Sequence, residues 1–370
     1  MTLTSLSLNN FRIHNNKSIN FSDNVNYIVG GNGMGKTSLL EAVYFLCTTK
    51  SFNAKSDSEC VRFGQSFFEL NGLFSGPTQH QIRIYYSLDE NKKYYFKDGK
   101  QIYRAADVIG NFPVVFLTPA DHSITQGSPA DRRRFFDSVL SQASETYLKN
   151  LLDYNKTLKH RSALLAKIKE TQSTRLIKEL EAWSETLVST GARLIFHRRK
   201  FIDEFNAYIQ DSYKTIMTGD EVPEIKYLFL NGYNGDKIEA AFRKIIEEKK
   251  EEEILRGINL AGPHRDDYLF SINNFNLKTY GSQGQHKTFQ VALRFAEYFY
   301  LENITGKKPI FLMDDVFGEL DAARAERISR YLRAVSQVFI TVTDLADFSF
   351  LEKKNSDLLI KLSNNHSVYA

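Results

Sequence analysis

Two strings in this sequence have the residue types and spacing to do chemistry together. The first, Gly30-Gly31-Asn32-Gly33-Met34-Gly35-Lys36-Thr37, fits the pattern GxxxxGK[ST] at every fixed position. Glycines let successive backbone N–H groups turn toward one set of phosphate oxygens, and the N-terminus of a following helix adds positive partial charge. In that arrangement Lys36 is expected to reach the β- and γ-phosphates of ATP, and Thr37 to hold Mg2+. The second string, Phe311-Leu312-Met313-Asp314-Asp315, is an apolar run that ends in two carboxylates. Asp314 is expected to complete the Mg2+ shell, and Asp315 to orient or deprotonate an attacking water. Each string has a plainer explanation, a glycine-rich turn or a solvated strand end. Their joint presence favours phosphoryl chemistry, with Lys36, Asp314 and Asp315 as the catalytic set.

Two weaker strings flank the paired carboxylates. Gly281-Ser282-Gln283-Gly284-Gln285 leads into a helical pattern, so its serine and glycines form a second candidate anion-binding helix end. Alone it is an ordinary capped helix; its place just ahead of the carboxylates gives it weight. Gly318-Glu319-Leu320-Asp321 follows them. Three basic clusters lie between the main strings: Arg132, Arg133 and Arg134; Lys156, Lys159, His160 and Arg161; and Arg193, His197, Arg198, Arg199 and Lys200. Such clusters neutralise nucleic-acid phosphates without reading sequence, and the binding weakens steeply with salt. Pairing with the many nearby glutamates competes with that role at each cluster.

The elements that must position these residues follow from hydrophobic period. Val25, Tyr27 and Val29 make a strand that runs into the first string, and residues 38–46 have helical spacing after it. Strand patterning continues through Ile82, Ile84 and Tyr86, then Tyr94 and Phe96 with an Asp98-Gly99 hairpin turn, then residues 114–117. At Ser128 the period lengthens. Ser128-Pro129-Ala130-Asp131 reads as a helix start, with Ser at the N-cap, Pro at N1 and Asp at N3. Helical stretches follow to about Leu255. From Gly257 strand signals resume at Phe270 and Ile272, with helices over 287–300 and 322–335 and a last buried strand over 338–342. The pattern is one α/β domain interrupted by a helical lobe.

Composition agrees. The chain has 370 residues, 42% hydrophobic and 25% charged, which is ordinary for globular proteins. A net charge of +4 permits a nucleic-acid partner without demanding one. Two cysteines without CxxC spacing indicate neither a disulfide framework nor a zinc site. There is no signal-peptide pattern at the start, and no apolar run approaches the ~18 residues of a membrane span. The expectation is a soluble cytoplasmic protein with no membrane partner.

The strings as a set resemble the ABC-type ATPases: Ser282-Gln283-Gly284-Gln285 is similar to their signature motif, and Glu319-Leu320-Asp321 to their D-loop. Within that superfamily the chain resembles the RecF family over essentially its whole length. The resemblance is carried by Asn10-Phe11-Arg12; by Pro119-Ala120-Asp121 and Gly127-Ser128-Pro129; by Arg132-Arg133-Arg134-Phe135-Phe136-Asp137; by residues 158–165; and by Gly262-Pro263-His264-Arg265-Asp266-Asp267. It implies an ABC-type, SMC-like P-loop ATPase head with an inserted helical second lobe. Residues 1–120 would be the N-terminal part of the ATPase lobe, 121–256 the helical lobe, and 257–370 the C-terminal part with signature, paired carboxylates and D-loop.

The resemblance also implies ATP binding through Gly30 to Thr37 and Arg12. It implies a homodimer closed by ATP with the signature acting in trans, and DNA as partner, single-stranded/double-stranded junctions included. RecR, with RecO and RecA, would act alongside it in gap repair, replication restart and SOS induction. Two readings compete: an SMC-like chromosome ATPase, which needs long heptad arrays, and a transporter nucleotide-binding subunit, which needs a Q-loop and a switch histidine. Neither requirement is met in the sequence: no Q-loop can be assigned, and Thr341-Val342-Thr343-Asp344 lacks the switch histidine. Gln283 replaces a common glycine, and Asp315 replaces a common glutamate one methylene longer, which implies slow turnover.

Overall fold

Where the hydrophobic period of the sequence changes, the fold changes element type. The computed structural model describes residues 1–217, 219–319, 321–343, 354–362 and 367–369. The elements begin with β1 (Thr2–Phe11), β2 (His14–Asn20), β3 (Val25–Val29), α1 (Lys36–Thr48), β4 (Phe67–Ser75), β5 (His80–Ser87), β6 (Lys92–Lys97), β7 (Lys100–Ile102) and β8 (Val114–Leu117). Then come α2 (His122–Gln126), α3 (Pro129–Ala143), α4 (Glu145–Thr171), α5 (Thr174–Ile216), β9 (Pro223–Leu228), α6 (Ile238–Arg256), β10 (Asp267–Ile272), β11 (Phe275–Asn276) and α7 (Leu277–Tyr280). The rest is α8 (Gln283–Thr305), β12 (Ile310–Asp314), α9 (Ala322–Tyr331), β13 (Val338–Val342), β14 (Leu358–Leu362) and β15 (Ser367–Tyr369). No helix among the described residues is long and apolar enough to cross a membrane.

By internal contacts the chain forms two compact units, Met1–Asp121 with Asp211–Asp220 and Lys287–Ala370, and His122–Gln210 with Glu221–His286. Asp211–Asp220, expected in the helical lobe, belong to the first unit, and nearly all the rest of that stretch lies in the second unit. Residues 257–286, expected in the ATPase lobe, belong to it instead. The reason is that β10 pairs antiparallel with β9 along six residues, Asp267 to Ile272 against Leu228 to Pro223.

The first unit holds two six-stranded sheets, antiparallel β2-β1-β4-β5-β6-β7 and mainly parallel β15-β14-β3-β13-β12-β8. In β4 every second residue is buried, and Phe68, Leu70 and Phe74 face the core as period-2 patterning requires. The β6–β7 turn has φ 52° at Asp98 and 75° at Gly99, the left-handed pair of a tight hairpin turn. The parallel strands read as continuous apolar runs because such a sheet is covered on both faces. On one face lies α1, whose Leu39, Leu40, Val43, Phe45 and Leu46 are buried on all sides and join residues of both sheets in one core. A Cβ on Gly72 of β4 would stand 2.6 Å from Leu46 Cδ1, so a side chain there would have to displace the leucine. Further apolar cover comes from α8, where Phe295 packs on Phe311 at 5.0 Å between ring centres and on Tyr331 at 4.3 Å. The expected last strand, β13, is not the last: β14 adds to the far side of β3 in parallel and β15 pairs with β14.

The second unit holds α2, α3, α4, most of α5, α6 and α7 with the short sheet β11-β10-β9. Helix α3 starts as the sequence predicts: Ser128 precedes Pro129, and the Asp131 carboxylate accepts from the Ser128 backbone N–H at 2.9 Å and its hydroxyl at 2.7 Å. The unit is tied internally by a buried ion pair. Arg161 of α4 and Glu253 of α6 are both 0% exposed and meet at 2.6 Å. Arg161 also donates to Ser184 Oγ at 3.0 Å and to Asn259 Oδ1, and Glu253 accepts from Leu260 N at 2.7 Å. Such a pair contributes little over an apolar substitute but is costly to break on one side. Arg161→Met is therefore predicted to cost about 3–5 kcal/mol of unfolding free energy in urea melts. Arg161→Met combined with Glu253→Leu should recover most of that loss. A single variant unfolding at the wild-type midpoint would contradict the placement of Arg161 in the core.

Candidate active site

The strands of the parallel sheet deliver the chemical residues to one edge. β3 ends at Val29 and feeds the glycine-rich loop; β12 ends at Asp314; β13, between them, places Thr341 beside Asp314 and Val342 beside Val29. Ligand sites of parallel sheets lie at these carboxyl ends.

The loop turns through Gly33 and Gly35 at φ 79° and 84°, values that a side chain resists. Gly35 is also the N-cap of α1. A Cβ there would stand 2.6 Å from the His14 imidazole, which packs on the loop from the start of β2. His14 Nε2 lies 3.1 Å from Gly35 O, so this nitrogen carries the proton and donates. Burial pushes the imidazole down to about 4, which keeps it neutral at ordinary pH. Sequence reasoning missed His14, since His-Asn-Asn-Lys-Ser reads as a solvated strand.

Lys36 is buried and curls back over the loop, its ammonium donating to Gly30 O at 2.6 Å and Gly31 O at 3.3 Å. The Thr37 hydroxyl meets both Asp314 carboxylate oxygens, at 3.0 and 2.9 Å. Asn32, Gly31 and Gly33 are exposed on the loop, with Gly30 and Met34 half-buried. Asp315 is exposed and has φ 50°, and its backbone N–H donates to the Thr341 hydroxyl at 2.9 Å. That hydroxyl donates in turn to Asp314 Oδ1 at 2.7 Å. Arg12, expected at the nucleotide, is held by α1: Nε and Nη2 donate to Glu41 at 2.8 and 2.6 Å, and Nη1 to Glu59 O at 2.8 Å.

The candidate signature lies in the second unit. α8 begins at Gln283, four residues earlier than expected, so Gln283, Gly284 and Gln285 form its first turn. Ser282 and Gln285 cap it reciprocally: Ser282 N donates to Gln285 Oε1 at 2.9 Å and Gln285 N to Ser282 Oγ at 3.2 Å. In the candidate D-loop, Glu319 ends the turn Phe317–Glu319, Asp321 caps α9 by accepting from Arg324 N at 2.9 Å, and Leu320 lies outside the described residues, as does Asp344.

Three candidate DNA contacts are core residues instead. Arg132 makes two hydrogen bonds to Asp267, at 2.7 and 3.0 Å. Arg198 grips Asp137 at 2.8 and 3.0 Å and donates to Pro263 O at 2.9 Å, and Arg161 holds Glu253 in the buried pair. The physical reason is visible in the spacing. Arg161 falls on the buried stripe of Tyr154, Thr157, Leu164, Leu165 and Ile168, and Arg198 on that of Leu194, Ile195, Phe201, Ile202 and Phe205. Arg133 is half-buried and donates to Asp266 O at 2.6 Å. On the surface remain Arg134, 3.3 Å from Asp131, half-buried Arg199, 3.1 Å from Asp236, and exposed Lys156, Lys159, His160, Arg193 and Lys200.

A glycine-rich loop between a parallel strand and a buried helix, with a carboxylate from the neighbouring strands on the threonine of that loop, defines a P-loop ATPase head of the ABC and SMC type. The sequence profile of the RecF/RecN/SMC N-terminal domain matches residues 2–356. The DNA replication and repair protein RecF of Chloroherpeton thalassium is 40% identical over 94% of this chain and 96% of its own, and that of Salinibacter ruber 36% identical over 94% and 86%. A solved structure of the recombination mediator protein RecF with ATP, in the RecFOR pathway, is 30% identical and superposes with a TM-score of 0.90 over 100% of this chain and 97% of that one. The SMC head domain of Pyrococcus furiosus, 15% identical with a TM-score of 0.56, shares the fold. The chain belongs to the RecF family of DNA replication and repair proteins.

The Asp314 carboxyl is held above its ordinary range, by burial first and also by the Asp315 charge, against the hydrogen bonds from Thr341 and Thr37. A carboxyl raised in the folded state favours its protonated form there. Ionised Asp314 thus lowers stability at neutral pH, and the effect shrinks as pH falls through the raised value and ends below the ordinary one. Asp314→Asn removes the charge and keeps the shape. Without nucleotide it is predicted to melt above wild type at pH 7, by roughly 2–4 °C for each kcal/mol relieved, and to match it in acid. A lower melting temperature at pH 7 would contradict this account.

Proposed function

We propose that the protein is an ATP-gated DNA clamp of recombinational gap repair, replication restart and SOS induction. In this reading the glycine-rich loop binds ATP, two copies close on DNA, and slow hydrolysis releases them. The observation that carries it is the hydrogen bond between Thr37 and Asp314, residues 277 positions apart. It supports a single site built from loop and strand end, and the ATP-bound RecF relative supports the choice of nucleotide.

The loop N–H groups and the α1 N-terminus would cradle the phosphates. The Lys36 ammonium now rests on neutral carbonyls, and charged phosphate oxygens attract the same protons more strongly. A hydroxyl and a carboxylate side by side are hard oxygen donors that fit Mg2+ held mainly by phosphates and water, so Thr37 and Asp314 would be its protein ligands. The ion would supply charge neutralisation. Asp315 is exposed at the strand end, where a water can reach it, and would orient or deprotonate that water. Its short side chain favours the slow turnover of a switch over that of a motor. Ser282, Gln283, Gly284 and Gln285 of one copy would meet the phosphate bound by the other, with Glu319, Leu320 and Asp321 beside them. Arg134, Lys159, Arg199 and Lys200 are among the surface cations available for DNA phosphates, junctions included. RecR, with RecO and RecA, are the expected partners in the cytoplasm.

Light scattering with and without ATP and Mg2+ tests the reading. Wild type is expected to pass from monomer to dimer with ATP and Lys36→Met to remain a monomer; a wild type that stays monomeric with ATP, Mg2+ and gapped DNA would overturn the clamp. For DNA, Lys159→Ala with Lys200→Ala should weaken binding to all sequences alike and lower the salt slope by about one for each phosphate no longer neutralised. An unchanged slope would remove these two residues from the interface.

A further inference from the structure

We propose that Thr341 is a positioning residue for ATP hydrolysis, its single hydroxyl setting the carboxylate of Asp314 and the backbone of Asp315 at once. The proposal rests on the reading of Asp314 and Asp315 as the acidic pair of the reaction.

β13 is Val-Phe-Ile-Thr-Val, all five residues buried, with Thr341 1% exposed. Valine has the same shape and suits such a strand as well, so packing alone does not call for threonine. A hydroxyl buried there without partners is unfavourable. Thr341 has two. A backbone N–H can only donate, so the 2.9 Å contact from Asp315 N fixes the hydroxyl as acceptor on that side. Its one proton therefore points to Asp314 Oδ1, at 2.7 Å. A hydroxyl side chain performs both functions, and an apolar one of the same shape performs neither.

Both partners need holding. β12 stops at Asp314, and the next residue turns to φ 50°, a left-handed conformation that is costly for a residue with a side chain. This turn takes Asp315 out of the buried strand and leaves it exposed. The Asp315 N–H no longer follows a regular strand path, and the Thr341 hydroxyl receives it. Asp314 has a second hydroxyl partner, Thr37, on the nucleotide loop. Thr341 stands on the sheet instead, paired with Asp314 across the β12–β13 ladder. It can thus hold the carboxylate through Oδ1 from the neighbouring strand, while Thr37 and Asp314 would be the protein ligands of a metal ion.

The test compares Thr341→Val and Thr341→Ser with wild type in two measurements, the ATP dissociation constant and the single-turnover hydrolysis rate. Thr341→Val should bind ATP within about threefold of wild type and hydrolyse it roughly tenfold to a hundredfold more slowly, the range that small misplacements of reacting groups produce. Thr341→Ser keeps both hydrogen bonds and should return to within about threefold of the wild-type rate. If Thr341→Val does not fold by thermal melt, Thr341→Cys replaces it with the same split expected, because a thiol is a weak donor and acceptor. Normal hydrolysis by the valine protein, equal loss of binding and hydrolysis, or no rescue by serine would each overturn the proposal. Asp315→Asn serves as the separate control: if it hydrolyses ATP at the wild-type rate, the reading of the acidic pair has failed, whatever Thr341 does.

Discussion

The hydrogen bond from Thr37 to Asp314 ties the first turn of α1 to the end of β12, and the parallel sheet is what makes the contact possible. Three strands must lie side by side in one direction, β3, β13 and β12, for their carboxyl ends to share an edge. Parallel neighbours cannot be joined by tight turns. The chain between β3 and β8 therefore carries α1 and most of the antiparallel sheet, and the chain between β8 and β12 carries the helical unit. The insertion that looks like an interruption in the sequence is one of the crossovers that a parallel sheet requires.

The helical unit obeys a different constraint, the internal pairing of charge. Its buried arginines are matched by acids far away in sequence: Arg132 by Asp267, Arg161 by Glu253, Arg198 by Asp137. Much of Gly262-Pro263-His264-Arg265-Asp266-Asp267 is occupied by these bonds. Pro263 O accepts from Arg198, His264 Nδ1 meets Tyr154 OH at 2.7 Å, and Asp266 accepts from Tyr227 OH. Asp266 is itself pushed up to about 6, by burial above all, with Arg198 pulling the other way. A string that resembles a family hallmark thus serves to hold helices and strands of the unit together. That is why a count of clustered arginines overstates how much basic surface the unit can offer to DNA.

Local patterns were legible in the sequence and cross-strand geometry was not. The glycine-rich loop, the Ser128 cap and the Asp98-Gly99 turn each need only a few adjacent residues, and each formed where the spacing predicts. The buried arginines were legible in principle, since 3.6-residue periodicity puts Arg161 and Arg198 on apolar stripes, but a count of clustered charge is blind to which face carries it. His14 and Thr341 carry no local signal. One meets Gly35 from 21 positions away and the other meets Asp314 from 27, and both contacts depend on strand register. β14 escaped notice because Leu-Leu-Ile-Lys-Leu is short, and only its pairing with β3 identifies it as part of the sheet.

Three strained or perturbed groups of the first unit lie close to the nucleotide loop. Asp315 is left-handed, Asp314 is buried enough to resist ionisation, and His14 is held neutral beside the positive end of α1. A core selected for stability alone would place none of these there, since asparagine or valine would fit with less cost. Their concentration next to the loop indicates that the edge is organised around a ligand that brings its own charge. A cation between Thr37 and Asp314 would favour the ionised carboxylate, and phosphates over α1 would suit a neutral imidazole behind Gly35. The same features that lower the stability of the protein alone therefore become complementary once nucleotide and metal are in place.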